Sequence, residues 1–107
     1  DLYITKETEK RYKTLISLIT AKGIKINGVS KHLIDRAIQR DINVEDVKDA
    51  LLNPLKVGKI RVSETGRSQT YTGEFARVTI NPDTGNIITV WKTGSKLRNK
   101  LKGKGAE

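Results

Sequence analysis

At Asn53-Pro54 the apolar residues change their spacing, from the period of a helix to the period of a strand, and they do so once. Upstream, Tyr12, Leu15, Ile16 and Ile19 recur at i, i+3, i+4 and i+7, with Gly23 as a stop and Thr5 as a cap, which predicts a helix over about residues 6–20. A polar, glycine-containing connector follows over 22–28. Ser30 is placed to cap a second helix reaching about residue 40, with Leu33, Ile34, Ala37 and Ile38 as its buried stripe. Asn43, with Asp46 three residues on, resembles a capping box for a third helix whose apolar face is Val44, Val47, Ala50 and Leu51. Pro54 ends that helix, because the residue before a proline is pushed out of helical backbone.

Beyond Pro54 the chain alternates. Strands are predicted over 56–63, 68–73, 75–81 and 87–93, with turns at Glu64-Thr65-Gly66-Arg67 and Pro82-Asp83-Thr84-Gly85. Helices followed by strands make an α+β domain: N-terminal helices packed on an antiparallel β-meander of about four strands. At 107 residues there is room for one core. We divide it into an N-terminal helix and connector (1–29), a core (30–101) and a flexible basic tail (102–107).

Charge limits the partners. Lys and Arg number 21 against 12 acids, a net charge of +9, and hydrophobic residues are only 36%. Five of those nine positive charges lie in residues 92–107, where Lys92, Lys96, Arg98, Lys100, Lys102 and Lys104 face a single acid, Glu107. Such a balance points to a polyanion. There are no cysteines and one histidine, so neither disulfide, thiolate nor transition-metal chemistry is expected, and no cofactor. No apolar run reaches the roughly 20 residues of a membrane-spanning helix. Asp1 in place of an initiating Met leads us to expect a piece of a longer polypeptide. No GxGxxG, Walker loop, GxSxG or acid dyad is present.

Two clusters carry possible chemistry. His32 follows Lys31 and shares a helical face with Arg36 and Gln39, opposite the apolar stripe. Histidine titrates near neutrality, so it is the default proton carrier; the plainer reading is a solvated surface residue. The last strand carries Thr89, Trp91 and Thr93 on one face, against Ile88, Val90 and Lys92 on the other. Two hydroxyls flanking an indole suit a phosphate and a stacked base, while a Trp filling the core is the alternative. Buried hydroxyls need partners, so we expect Ile88 and Val90 to face the core and Trp91 to be partly exposed in a cleft whose rim carries His32 from the second helix, with Arg77 and Thr79 as neighbours on the adjacent strand. Lys92 is expected to bend toward that cleft as the strand ends. Tyr71 and Thr72 either line the cleft or pair across the sheet, and Gly94-Ser95-Lys96 could form an anion-binding turn. Arg40 and Arg36 read equally well as partners of Asp35, Asp41 or Glu45.

The runs S-K-H-L-I-D-R-A-I-Q-R-D-I, V-x-x-A-L-x-N-P-L-x-x-G, G-R-S-Q-T-Y-T-G and V-T-I-N-P-D-T-G-N-I-I-T-V-W-K-T-G-S-K resemble, in order, the polymorphic toxin type 50 family over about residues 30–101. Its members are C-terminal nuclease modules of bacterial secreted toxins, and similar modules end some phage head proteins. The family is grouped with the barnase–EndoU–colicin–RelE-like nucleases, which pack helices against an antiparallel sheet of about four strands. A more distant likeness to the nuclease of colicin D rests on Lys31-His32 and Thr89-x-Trp91; Val29 stands where that nuclease has a second lysine.

The resemblance implies a metal-independent endoribonuclease toxin acting on RNA, often tRNA, and leaving a 2′,3′-cyclic phosphate and a 5′-hydroxyl. On that reading His32, Arg36, Thr89 and Lys92 are catalytic, and Lys31, Tyr71, Thr72, Trp91, Thr93 and Ser95 bind RNA. It also implies secretion within a larger toxin, action in the target-cell cytoplasm as in contact-dependent growth inhibition, and an acidic cognate immunity protein. The alternative is a non-catalytic nucleic-acid-binding module of a phage or secreted structural protein. A third reading is a ribosome-dependent nuclease of the RelE type.

Overall fold

In a computed structural model that describes residues 2–106, with side chains from Lys6 to Gly103, the helical and strand halves pack against each other as layers. The elements are α1 (Leu2–Lys13), β1 (Gly28–Val29), α2 (Lys31–Gln39), α3 (Val44–Leu52), β2 (Lys56–Val57), β3 (Arg61–Ser63), β4 (Gly66–Thr72), β5 (Ala76–Ile80), β6 (Asn86–Lys92) and α4 (Ser95–Ala106). The sheet runs β1-β6-β5-β4-β2, with β3 also pairing β4. It is mixed: β1 lies parallel to β6 through Gly28↔Asn86 and Val29↔Ile87, and the other pairings are antiparallel. The chain is therefore α+β as expected, with six strands rather than about four. Among the described residues no helix is long and apolar enough to cross a membrane.

The core fills the space between the helices and one sheet face. Tyr71, Val78 and Val90 form a single cross-strand row, all without exposed surface. Leu33, Ile34 and Ala37 of α2 and Val47, Ala50 and Leu51 of α3 cover that row. Ser30 caps α2, its side chain accepting from the Leu33 amide at 3.1 Å. Asn43 takes N-cap backbone geometry, but its side chain makes no capping bond, so the predicted box is not closed.

Several boundaries differ from expectation for identifiable reasons. The first helix ends at Lys13 and contains Thr5, and the chain then turns through Ser17 at φ 80. Tyr12 and Leu15 are buried, but Ile16 and Ile19 fall outside the helix and are exposed. The stretch 56–63 breaks into β2 and β3, which flank different halves of β4, and Val62 is left 78% exposed. The connector contributes β1, too short to read from two residues. Residues 102–106 of the expected flexible tail continue α4, Glu107 lying outside the described residues, and α4 is tied to the β4–β5 turn by Lys102 Nζ donating to Glu74 Oε1 at 2.6 Å and by Arg98 over the Phe75 ring.

Gly85 is needed where it stands. Its φ is +76, and an added Cβ would land on the Lys25 carbonyl oxygen. The turn thereby approaches the connector closely enough for Asn27 to bond Gly85 and Thr84, which fixes β1 beside β6.

Tyr12 anchors α1 to the stretch after α2 by donating its hydroxyl to the Ile42 carbonyl at 3.0 Å. Burial raises its pKa, with Asp46 and Glu45 adding in the same direction. The folded state keeps this phenol neutral where the unfolded chain ionises it near pH 10. Stability is therefore expected to be intact below about pH 10 and to fall as pH rises through the alkaline range, by up to about 1.4 kcal/mol per unit. Tyr12→Phe should cost about 1 kcal/mol at neutral pH, by orphaning the carbonyl, and should lessen the alkaline loss. Urea unfolding at pH 7, 10 and 11 reads both effects.

Candidate nucleic-acid interface

The far face of the sheet, away from α2 and α3, carries two cross-strand rows. Thr70, Thr79 and Thr89 are in register across β4, β5 and β6, and Thr72, Arg77 and Trp91 form the neighbouring row. The Thr70 and Thr79 hydroxyls bond each other at 2.8 Å. No acid lies in either row.

The register that produces these rows depends on an irregularity. Thr79 pairs with Thr89, but Ile80 pairs with Ile87, so Ile88 is an extra residue in β6. A bulge of this kind resets the alternation. Ile87 turns inward at 4% exposure, whereas Ile88, expected in the core, is 49% exposed. Val90 stays inside and Thr89 and Trp91 stay outside, as strict alternation from Val90 onward requires.

Arg40 completes the site. Beyond Ile87 one edge of β6 has no strand beside it among the described residues, because β1 ends at Val29. Arg40, at the C-cap of α2, crosses this open edge. Its Nη1 donates to the Val90 carbonyl at 2.9 Å and lies 3.5 Å from Thr89 Oγ1, while its guanidinium carbon sits 3.4 Å over the Trp91 ring centroid. A guanidinium satisfies a carbonyl that would otherwise be an exposed sheet edge and covers one part of an indole that remains 49% exposed. Sequence reasoning offered Arg40 only acidic partners; it pairs with none of them among the described residues.

The other candidates divide. His32 and Arg36 are exposed on α2, one turn apart, and with Arg40 they form a stripe at i, i+4 and i+8. Eight residues of helix rise roughly 12 Å, so His32 and Arg40 mark the two ends of the stripe. His32 makes no hydrogen bond or ion pair among the described residues, and Lys31 beside it is exposed. Lys92 does not bend toward Trp91: β6 continues through it in register with Ala76, and its amine lies 3.7 Å from the Asp41 carboxylate.

Two proposed RNA contacts, Tyr71 and Thr93, are interior groups instead. Tyr71 is wholly buried, its hydroxyl 2.8 Å from that of Thr20. Thr93 is 8% exposed and donates to the Gly73 carbonyl at 2.9 Å, whereas Thr72, only 6% exposed, stays in the outer-face row beside Arg77. Odd-numbered positions of β4 face the helices, and the chain leaving β6 tucks Thr93 under the β4–β5 turn. Ser95 is exposed but opens α4: the Gly94 carbonyl before it accepts from the Arg98 amide, so these residues start a helix.

No family model, curated protein or solved structure matches this chain.

Arg40→Ala is expected to destabilise the fold by about 1–3 kcal/mol, through the lost stack and the unpaired Val90 carbonyl. Acrylamide quenching of Trp91 should rise in the same variant. Arg40→Lys should recover little of either, because an ammonium cannot lie flat on the indole while donating to the carbonyl.

Proposed function

We propose that this chain is a metal-independent endoribonuclease, the toxin portion of a larger secreted bacterial polypeptide, with the helices-on-sheet arrangement of the barnase–EndoU–colicin–RelE-like nucleases. The observation that carries the proposal is the acid-free outer sheet face, where hydroxyls of Thr79 and Thr89 adjoin the stack of Trp91 with Arg40 from the end of α2. An RNA strand supplies what such a face binds: phosphates for guanidinium and hydroxyl groups, and base planes for the free half of the indole. The resemblance to the polymorphic toxin type 50 family agrees with it, and tRNA is the substrate that likeness suggests.

In this reading His32 takes the proton of a 2′-hydroxyl, the oxygen attacks the adjacent phosphorus, and the bond to the 5′-oxygen breaks. The same imidazole returns the proton to the leaving oxygen, so no water is consumed and the ends are a 2′,3′-cyclic phosphate and a 5′-hydroxyl. Arg36, one turn along the helix, stabilises the charge on the phosphorane. Thr89 and Arg40 hold the next phosphate, and Lys31 adds to the field at the start of α2. The target is the cytoplasm of a recipient cell, and the partner is an acidic immunity protein drawn to a +9 domain.

One observation favours a second reading, a nucleic-acid-binding module that does not cut. His32 has no orienting partner among the described residues, and catalytic histidines are ordinarily held by a second group. Incubation with purified tRNA in EDTA separates the readings. The nuclease reading expects 2′,3′-cyclic ends, lost by about 10²–10⁴-fold in His32→Ala with binding retained. Intact tRNA, or cleavage only on adding magnesium, contradicts it; intact tRNA that is nonetheless bound establishes the second reading.

A further inference from the structure

A groove of about 840 Å³ lies on the same outer sheet face, between the 56–61 segment and α4. Lys56, Lys59, Arg61 and Arg77 line it, with no acid among its lining residues. None of the four forms an ion pair among the described residues. Four unpaired cations around one concavity repel each other, and a polyanion relieves that repulsion while releasing its counterions.

The walls add a second requirement. Ile60 is 42% exposed, and Leu97 and Leu101, at i and i+4 on α4, also line the groove rather than joining the core. A bare phosphate chain uses the cations and leaves these side chains in water. A nucleotide strand uses both, with phosphates on the cations and base faces on the aliphatic side chains. Thr70, at one side of the groove, begins the hydroxyl row that ends at Thr89.

Arg77 joins the groove to the Trp91 site. It lines the groove, and it is also the cross-strand partner of Trp91 on the same face. Directly opposed residues in a sheet stand about 5 Å apart, so a strand leaving Trp91 meets Arg77 and then the groove without a gap. We infer that the groove holds the stretch of single-stranded RNA that runs on from Trp91, gripping it by charge and by apolar contact to its bases. This rests on the ribonucleic-acid reading above and adds to it a second binding site, remote from His32, that lengthens the contact with the strand.

The test uses the full chain and two uncleavable 2′-O-methyl oligoribonucleotides, a trimer and a decamer, titrated by fluorescence anisotropy at several salt concentrations. Wild type should bind the decamer at least tenfold more tightly than the trimer. Lys59→Ala with Arg61→Ala should remove most of that gain, leave the trimer unchanged, and reduce the salt slope for the decamer by about 1.4. Ile60→Ser should reduce the gain with the slope unchanged. Both changes fall on exposed side chains, and circular dichroism reports whether the fold persists. If wild type binds both RNAs and the double variant keeps the length gain, the groove assignment is wrong and the RNA reading stands. Loss of trimer and decamer alike also overturns the groove as a separate site. If wild type binds neither RNA, the RNA reading fails and the groove assignment falls with it.

Discussion

Strand β6 has neighbours on both sides for its first two residues and on one side for the rest. An open edge in mid-sheet exposes carbonyls and invites pairing with other chains. Here a side chain closes it. Arg40 reaches from the end of α2, bonds the Val90 carbonyl and lies flat on Trp91, so the helix layer is fastened around the rim of the sheet to its outer face. The stop of β1 at Val29, the bulge at Ile88 and the position of α2 all bear on this one contact. The extra residue Ile88 lets Ile87 face inward while Thr89 and Trp91 both face outward. Lengthen β1, and Arg40 has no carbonyl to meet.

That arrangement gives the outer face its chemistry. A sheet face that α2 and α3 leave uncovered must show hydrophilic side chains where it meets water, and hydroxyls are the neutral way to do so. This face instead adds positive charge and an aromatic ring, beside a groove lined by cations without acids. Threonine rows, a half-free indole and unpaired guanidinium groups contribute nothing to the core that aliphatic residues would not supply better. Their value lies in what they can hold.

The helical half and the turn positions were legible because their signals are local. Ser30 caps as its position suggests, the apolar stripes of α2 and α3 are buried apart from Ile38 and part of Val44, and Pro82–Gly85 turns the chain. What escaped was set by contacts distant in sequence. Two residues of parallel strand at Gly28–Val29 have no pattern to read, and a bulge at Ile88 breaks the alternation that strand reading assumes. Trp91, Thr89, Arg77 and Thr79 were placed on one outward face from alternation. Arg40 was not, because its near neighbours Asp35, Asp41 and Glu45 offer it plausible ion pairs and its actual partners lie about fifty residues away. Tyr71 and Thr93 were misjudged for a related reason. A buried hydroxyl needs a partner, and the partners, Thr20 and Gly73, come from distant segments.

The central claim is that the outer sheet face, where Arg40 from the end of α2 meets Trp91, is where RNA binds. Two-dimensional NMR of the labelled chain, titrated with an uncleavable 2′-O-methyl oligoribonucleotide, tests it residue by residue. The account predicts shifts of the Trp91 indole and Arg40 guanidinium N–H signals, with the Arg77, Thr79 and Thr89 amides following, and silence at Val47, Ala50 and Leu51 on the helical side. Shifts confined to the helical side, with the Trp91 indole unmoved at saturation, would contradict it.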